Sequence, residues 1–260
     1  MVRQIEGVSE MIELTLLARI YGDYQNRLLR DFERDLHERT SELDIRIRKI
    51  STDERGHIIV AVDGEDEEFV KNTLASEYGT TNSLESISTR SEYSGQLRDV
   101  GKVGYGIYVD IGVIDPSMSD ALVPLHKLRS QFEMSASVRS IAGSFVLVDN
   151  FPVTVKVLHK DERKLEIEAE FTPLFIDQLD TWRNDDHQRL LVFGANRDMI
   201  DSALERTNHR QDIYEIERLG PFEFSLRCKR STRATGIIAA IGPILRGVPM
   251  HLFIPREIGD

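Results

Sequence analysis

Residues 101–128 read GKVGYGIYVDIGVIDPSMSDALVPLHKL, with three closely spaced glycines running straight into β-branched and aromatic residues. That junction limits the fold more than any other feature of the chain. A dinucleotide-binding turn needs glycines at the first, third and sixth positions, between a strand and a helix. Here they stand at the first, fourth and sixth. A Walker A loop ends in Gly-Lys-Ser/Thr and opens a helix. These glycines lead instead into Ile107, Tyr108, Val109, Asp110, Ile111, Gly112 and Val113, an alternation of period two that predicts a strand. A phosphate-cradling loop is a poor reading of these glycines, and a bent strand is a good one.

The flanking sequence carries a different period. Residues 12–20 alternate as a strand, and residues 24–40 put Leu28, Leu29, Phe32 and Leu36 on one helical face. Two strands, 44–50 and 57–62, are joined by a polar turn at 51–56. A helix at 66–78 stops at Gly79, and a short strand near 84–87 completes β-α-β-β-α-β. After Phe171 the same order returns. A short helix at 174–182 leads to a strand at 189–194, a helix capped by Asn196, a strand pair at 212–218 and 222–228, a helix at 234–245 and a closing strand at 248–254.

Between these modules the rhythm is strand and turn with no long helix. Strands at 95–100, 106–113, 121–125, 145–160 and 164–170 suit a five-stranded OB barrel, in which Gly104 and Gly106 let a strand bend without a Cβ clash. The sequence thus predicts an α+β multi-domain chain. A ferredoxin-like module spans residues 1–93, an OB barrel 94–172 and a second ferredoxin-like module 173–260.

Composition restricts what such a chain does. Its 260 residues, 40% hydrophobic and 30% charged, are those of a globular protein. No apolar run approaches the roughly 18 residues that span a bilayer, and the opening MVRQIEGVSEMIEL has acids where a signal peptide has an apolar core. These features predict a cytoplasmic protein with no membrane partner. A single cysteine, Cys228, makes neither an internal disulfide nor a zinc cluster. The net charge of -11 disfavours non-specific wrapping of duplex DNA, so any nucleic-acid contact must be local.

Three blocks, GQLRDVGKVGYGIYVDIGV, DALVPLHKL and FPVTVKVLHKDERKLEIEAEF, resemble in order the RNA-binding OB domain of the first protein of the bacterial small ribosomal subunit, the S-one type. The resemblance covers residues 95–171. It implies RNA binding, with Tyr105 and Tyr108 and the nearby bases Lys102 and Lys127 on the face where such domains stack single-stranded bases. Barrel packing with the hydroxyls at the rim is the other reading of the tyrosines. Two departures stand against the pattern: Pro124 takes a strand-three position that is often His, and Glu166, Glu168 and Glu170 put acids on strand five. Some domains of this type bind protein instead.

The whole layout, with IERLGPFEFSLRCKRSTRATGIIAAIG, resembles an archaeal family of conserved uncharacterised proteins known only as a domain of unknown function. The alpha subunit of archaeal initiation factor two and the stalk subunit of archaeal RNA polymerase share parts of the layout. These resemblances imply RNA metabolism, with ribosome or translation factors as partners.

A second candidate site is the basic run Arg227, Lys229, Arg230 and Arg233. It leads into a helix beginning near Ala234, whose free amides would suit an RNA phosphate. A solvated loop offsetting the acidic surface explains it equally well. The acidic run at 63–68 lacks calcium-loop spacing and is read as a solvated helix start. No catalytic constellation is visible: the seven histidines are scattered, Cys228 lies among cations that would lower its pKa but has no visible base, and the cluster Asp185, Asp186 and His187 is explained by a polar connector. The resulting expectation is a non-enzymatic RNA-binding protein without cofactor or metal, and the alternative is an adaptor that docks on a ribonucleoprotein or polymerase.

Overall fold

The computed structural model describes residues 11–255, so most of the acidic opening segment lies outside the described residues. The described residues divide into two compact units, one of residues 11–21 and 25–80, the other of residues 22–24 and 81–255.

The first unit holds strand β1 (Ile12–Arg19), helix α1 (Gln25–Arg39), strands β2 (Ile45–Thr52) and β3 (His57–Gly64), and helix α2 (Glu67–Tyr78). The strands pair antiparallel in the order β1-β3-β2. Register sets Leu14 against Val60 and Val60 against Ile50, so the period-two apolar set lies on one face. Leu28, Phe32 and Leu36 of α1, spaced four apart, and Val70 and Leu74 of α2 are buried. Gly79 stops α2 with φ 67, its N–H donating to Ala75 O.

The expected fourth strand at 84–87 is not formed there. Beside β1 stands an isolated bridge, Leu16 to Thr80, and the chain then leaves the sheet. Residues 82–83 form β4 (Asn82–Ser83) in the second unit, parallel to a barrel strand, and residues 84–86 turn. Leu84 and Ile87 are buried in that setting, with Leu84 N–H donating to Asp115 O at 2.7 Å. Their apolar side chains serve the barrel rather than a fourth strand.

The second unit begins with β5 (Glu92–Arg98), β6 (Gly106–Asp115) and β7 (Ser119–Pro124), continues through helices α3 (Leu125–Gln131) and α4 (Val138–Ser144), and returns through β8 (Pro152–Asp161) and β9 (Glu166–Phe171). The strands run β6-β5-β8-β9-β7 and close through β6–β7, with β7–β9 parallel and the rest antiparallel. This is a closed five-stranded mixed barrel of OB-like order. Gly106 answers the question its spacing raises: a Cβ there would lie 2.5 Å from Val123 O, so glycine allows β6 and β7 to approach. Gly104 borders open space, and the bend assigned to it does not require glycine on packing grounds.

One correction concerns the same region. The connection between β7 and β8, expected to hold no long helix, carries the short helices α3 and α4 of seven residues each. The strand expected from 145 begins at Pro152, because α4 ends in a turn that carries Val146 at φ 51. The apolar run at 145–148 is used for the core instead: Phe145 packs on Phe132, their centroids 4.3 Å apart.

The rest of the unit comprises α5 (Pro173–Asn184), β10 (Arg189–Phe193), α6 (Arg197–Arg206), β11 (Ile213–Arg218), β12 (Glu223–Cys228), α7 (Ala234–Ile241) and β13 (Met250–Phe253). The strand order is β11-β12-β10-β13, antiparallel throughout. Asn196 caps α6 as expected, accepting from Met199 N–H, and α5 starts one residue earlier than expected, capped by Thr172 with Pro173 at its first position. One face of this sheet is covered by α5 and the barrel. Trp182 meets Phe253 at 5.5 Å, and Phe151 of the barrel meets Phe193 at 5.6 Å. The barrel core therefore continues into the sheet through Phe171, Phe175 and Phe151.

Candidate nucleic-acid interface

Strand β6 points Ile107, Val109 and Ile111 into the barrel, and alternation turns Tyr108 outward. In the ladder Tyr108 stands between Arg98 of β5 and Leu122 of β7. Tyr105 precedes the strand, its carbonyl accepting from Leu125 N–H at 2.8 Å, and its side chain is 55% exposed. The two rings meet edge to face, with centroids 6.2 Å apart at 88° and hydroxyls 2.7 Å apart. The hydrogen bond with Tyr105, then burial and the nearby negative charges of Asp120 and Glu166, pushes the Tyr108 phenol up to about 12. Tyr108 is thus neutral at physiological pH.

The cations expected beside the tyrosines are already engaged. Lys102 is bound to Asp99 at 2.5 Å, which raises its pKa, and it lines a cleft with Gly101 and Arg139. Lys127 is bound to Glu170 at 3.0 Å, and Arg98 lies 3.8 Å from Asp120. Glu168 opposes Leu122 across the β7–β9 pair, and Leu122 opposes Tyr108 across β6–β7, so the acids noted in the sequence lie on β9, with β7 between them and Tyr108. Aromatic surface and acidic border coexist here.

The basic run connects β12 to α7, as expected, and its side chains are partly engaged. Arg227 lies on the sheet face shared with Arg189, 3.1 Å from Asp185 and with its guanidinium 5.0 Å from the Tyr214 ring centroid. Arg230 approaches Asp186 at 3.6 Å, Lys229 is exposed, and Arg233 precedes α7. The first amide of α7 is not free: Ala234 N–H donates to Gln188 Oε1 at 2.9 Å. Cys228 is fully buried, and burial pushes its thiol up to about 11, the reverse of the shift expected from its cationic neighbours.

Asp185, Asp186 and His187 form structural contacts. Asp185 binds Arg189 at 3.0 Å as well as Arg227; burial raises its pKa, but the Arg189 hydrogen bond and the surrounding positive charges outweigh that and hold it low. Arg189 also lies over Trp182, and His187 Nδ1 is 2.7 Å from Cys228 O. In the acidic run, Asp63 pairs with Arg48, Asp66 accepts from Asp44 N–H, and Glu67 and Glu68 occupy the first turn of α2. Among the described residues no group of three or more His, Cys, Asp or Glu side chains is arranged to hold a metal ion, and no helix is long and apolar enough to cross a membrane.

Tyr214 escaped the sequence reading. A register shift in β11 between Ile213 and Glu215 leaves it 62% exposed beside Arg227 and 5.6 Å from the His187 ring. Strand alternation alone gives no sign of that placement.

An α+β chain in which an OB-like barrel carries an outward-facing tyrosine pair and leads into a four-stranded sheet is the class defined by these observations. Residues 13–84, 87–183 and 187–252 match the N-terminal, central and C-terminal domains of DUF2110, so the chain belongs to the DUF2110 family, whose function is unknown. Among solved structures, the uncharacterized protein MJ1198 from Methanocaldococcus jannaschii is similar at 16% identity over 34% of this chain and 97% of that one, with a TM-score of 0.25. No curated protein matches the chain.

Proposed function

We propose that the chain binds single-stranded RNA through the outer face of the barrel, as a non-catalytic component of RNA metabolism in the cytoplasm. The observation that carries this reading is the Tyr105 and Tyr108 pair on the outer side of the barrel, Tyr105 exposed just before β6 and Tyr108 half-buried on its outward face. An edge-to-face pair leaves ring face available for a base, and such stacking contributes about 1–3 kcal/mol per base. Lys102, Lys127, Arg227, Lys229, Arg230 and Arg233 supply the phosphate contacts. The ion pairs of Lys102 with Asp99 and of Arg230 with Asp186 are exposed, where such pairs contribute little and exchange for phosphate readily, whereas Glu170 and Asp185 hold Lys127 and Arg227 in part-buried pairs. The blocks shared with S-one barrels favour ribosomal RNA or translation as the setting. The C-terminal strand order is consistent with a ferredoxin-like module, and the three-stranded N-terminal sheet with a shortened one.

A second reading, docking of a basic protein segment, is favoured by one observation: the acids Asp120 on β7 and Glu166, Glu168 and Glu170 on β9 lie on the two strands next beyond Tyr108. Fluorescence anisotropy with a short labelled RNA, single-stranded and as a duplex of the same sequence, separates the two. Saturable binding of the single strand and none of the duplex is expected. Binding of a basic peptide with no response to either RNA would replace the first reading by the second.

A further inference from the structure

A cleft of about 700 Å³ opens between the barrel and strand β13. Its walls include Val100, Gly101, Leu147 and Val148 from the barrel and Pro249 from the turn before β13. That volume falls within the roughly 300–1,000 Å³ of small-ligand sites, which combine apolar walls with a few placed polar groups.

The polar groups here are Lys102, Arg139, Asn150 and His251. Arg139 Nε donates to Gly101 O at 2.9 Å, which orients the guanidinium, and its two Nη atoms make no hydrogen bond to protein among the described residues. The Asn150 side-chain amide and the His251 ring nitrogens are likewise without a protein hydrogen bond among the described residues. The carboxylate in the lining, Asp149, is engaged through Oδ1 by Val100 N–H at 2.8 Å. Burial holds His251 below the ordinary histidine pKa, so at neutral pH one ring nitrogen donates and the other accepts.

Backbone conformation marks the same place. Asp99 (φ 52), Gly101 (φ 74), Val146 (φ 51) and Asn150 (φ 66) all lie in the segments that wall the cleft. Val146 fills the left-handed position of a Schellman turn, closed by Leu147 N–H to Ala142 O at 2.9 Å. Glycine normally stands there, and a β-branched residue is an outlier. At Gly101 a side chain would bring its Cβ to 3.2 Å from Arg139 Cγ, so glycine keeps the arginine seated. Such conformations persist where their surroundings over-determine them, and they gather at ligand clamps.

We propose that this cleft binds a nucleoside monophosphate unit. Lys102 and Arg139 take the phosphate, the base lies on Val148 and Pro249, and Asn150 and His251 meet its polar edge. An aliphatic acid would satisfy the cations and leave the amide and imidazole unmatched. The exposed Lys102 and Asp99 pair is weak enough to yield its ammonium to phosphate. The proposal does not depend on the tyrosine face.

The test is calorimetric titration of the full chain with the four common nucleoside 5′-monophosphates, with inorganic phosphate and adenosine as part-ligands. At least one monophosphate is expected to bind with Kd below about 1 mM, and each part-ligand at least roughly tenfold more weakly. Arg139 is exposed, so Arg139→Gln folds; it is expected to weaken binding by roughly tenfold or more, as loss of a charged hydrogen-bond donor does. Arg163→Gln, in the β8–β9 turn, leaves binding unchanged, and so does the double change Tyr105→Ala with Tyr108→Ala, which separates this site from the proposed RNA face. Competition by a 5′-phosphorylated oligonucleotide but not its 5′-hydroxyl form identifies an RNA end as the source of the nucleotide; competition by neither identifies free nucleotide. Binding by none of the four monophosphates, or binding unaffected by Arg139→Gln, overturns the proposal.

Discussion

Tyr105 and Tyr108 share one hydrogen bond, hydroxyl to hydroxyl at 2.7 Å, with their rings at 88°. The contact makes the pair one unit, in which each ring fixes the other's orientation on the barrel. Because that bond is the largest cause of the raised Tyr108 pKa of about 12, Tyr105→Phe is expected to bring Tyr108 down toward the ordinary phenol value of about 10. Tyrosine ring carbon shifts monitored by NMR through alkaline pH check this. An unchanged Tyr108 titration in the variant would show that burial and charge, not the hydroxyl contact, set the pKa.

In the first unit, Asp53 accepts from the amides of Arg55 and His57 and pairs with the fully buried His57 ring at 2.8 Å. Burial raises the Asp53 pKa, and the His57 bond and charge with the two amides more than offset it, leaving the carboxyl below its ordinary value. A depressed folded-state pKa contributes stability that is fully present above the unfolded value of about 3.9 and is lost as pH falls through the folded one. Asp53→Asn is expected to destabilise the unit at neutral pH by about 1–3 kcal/mol and to flatten the acid limb of its stability curve. Denaturant melts between acid and neutral pH would show an unaltered acid limb if Asp53 carried none of it.

Asp185 is the counter-charge for both Arg189 and Arg227, and Arg189 is buried. Asp185→Ala is expected to cost about 3–5 kcal/mol, because Arg189 then keeps only looser 3.4 Å contacts, with Glu217 and with His187 O. Thermal unfolding that shifts no more for Asp185→Ala than for Asp186→Ala, an exposed neighbour, would remove the structural role assigned to the cluster.

Phe151 and Phe171 face Phe175, Trp182 and Phe193, which all lie beyond residue 172. A fragment of residues 94–172 is therefore expected to unfold at lower denaturant than one of residues 81–255, since each aromatic contact carries about 0.5–1.5 kcal/mol beyond its buried area. Equal midpoints for the barrel transition would mean that its core is complete without α5.

Local pattern carried far in this chain and stopped at identifiable places. The alternation in Ile107, Val109 and Ile111 located β6 and turned Tyr108 outward, and Asn196 marked the start of α6 through its cap. The run at 145–148 misled because Val146 sits in a left-handed turn and Phe145 and Leu147 take core positions, where tertiary packing outweighs strand propensity. The segment at 84–87 misled because its apolar residues are recruited by a neighbouring sheet. At the site, the S-one resemblance pointed to the aromatic pair, whereas nothing in the sequence pointed to the partners that neutralise the cations. Glu170 reaches Lys127 across 43 positions, and Gln188 reaches the α7 amide across 46, distances over which no local pattern speaks.

The most direct test of RNA binding by the barrel face is the salt dependence of single-stranded RNA affinity for the parent chain, the Tyr105→Ala, Tyr108→Ala double variant, and a variant with Arg227, Lys229, Arg230 and Arg233 changed to Gln. Stacking releases few counterions, so the tyrosine variant is expected to lose about 1–3 kcal/mol per unstacked base while keeping the parent's salt slope. The Gln variant is expected to lose roughly two units of slope, about 0.7 for each of some three phosphates, with base preference unchanged. A folded tyrosine variant that binds RNA as tightly as the parent at every salt concentration would contradict the account.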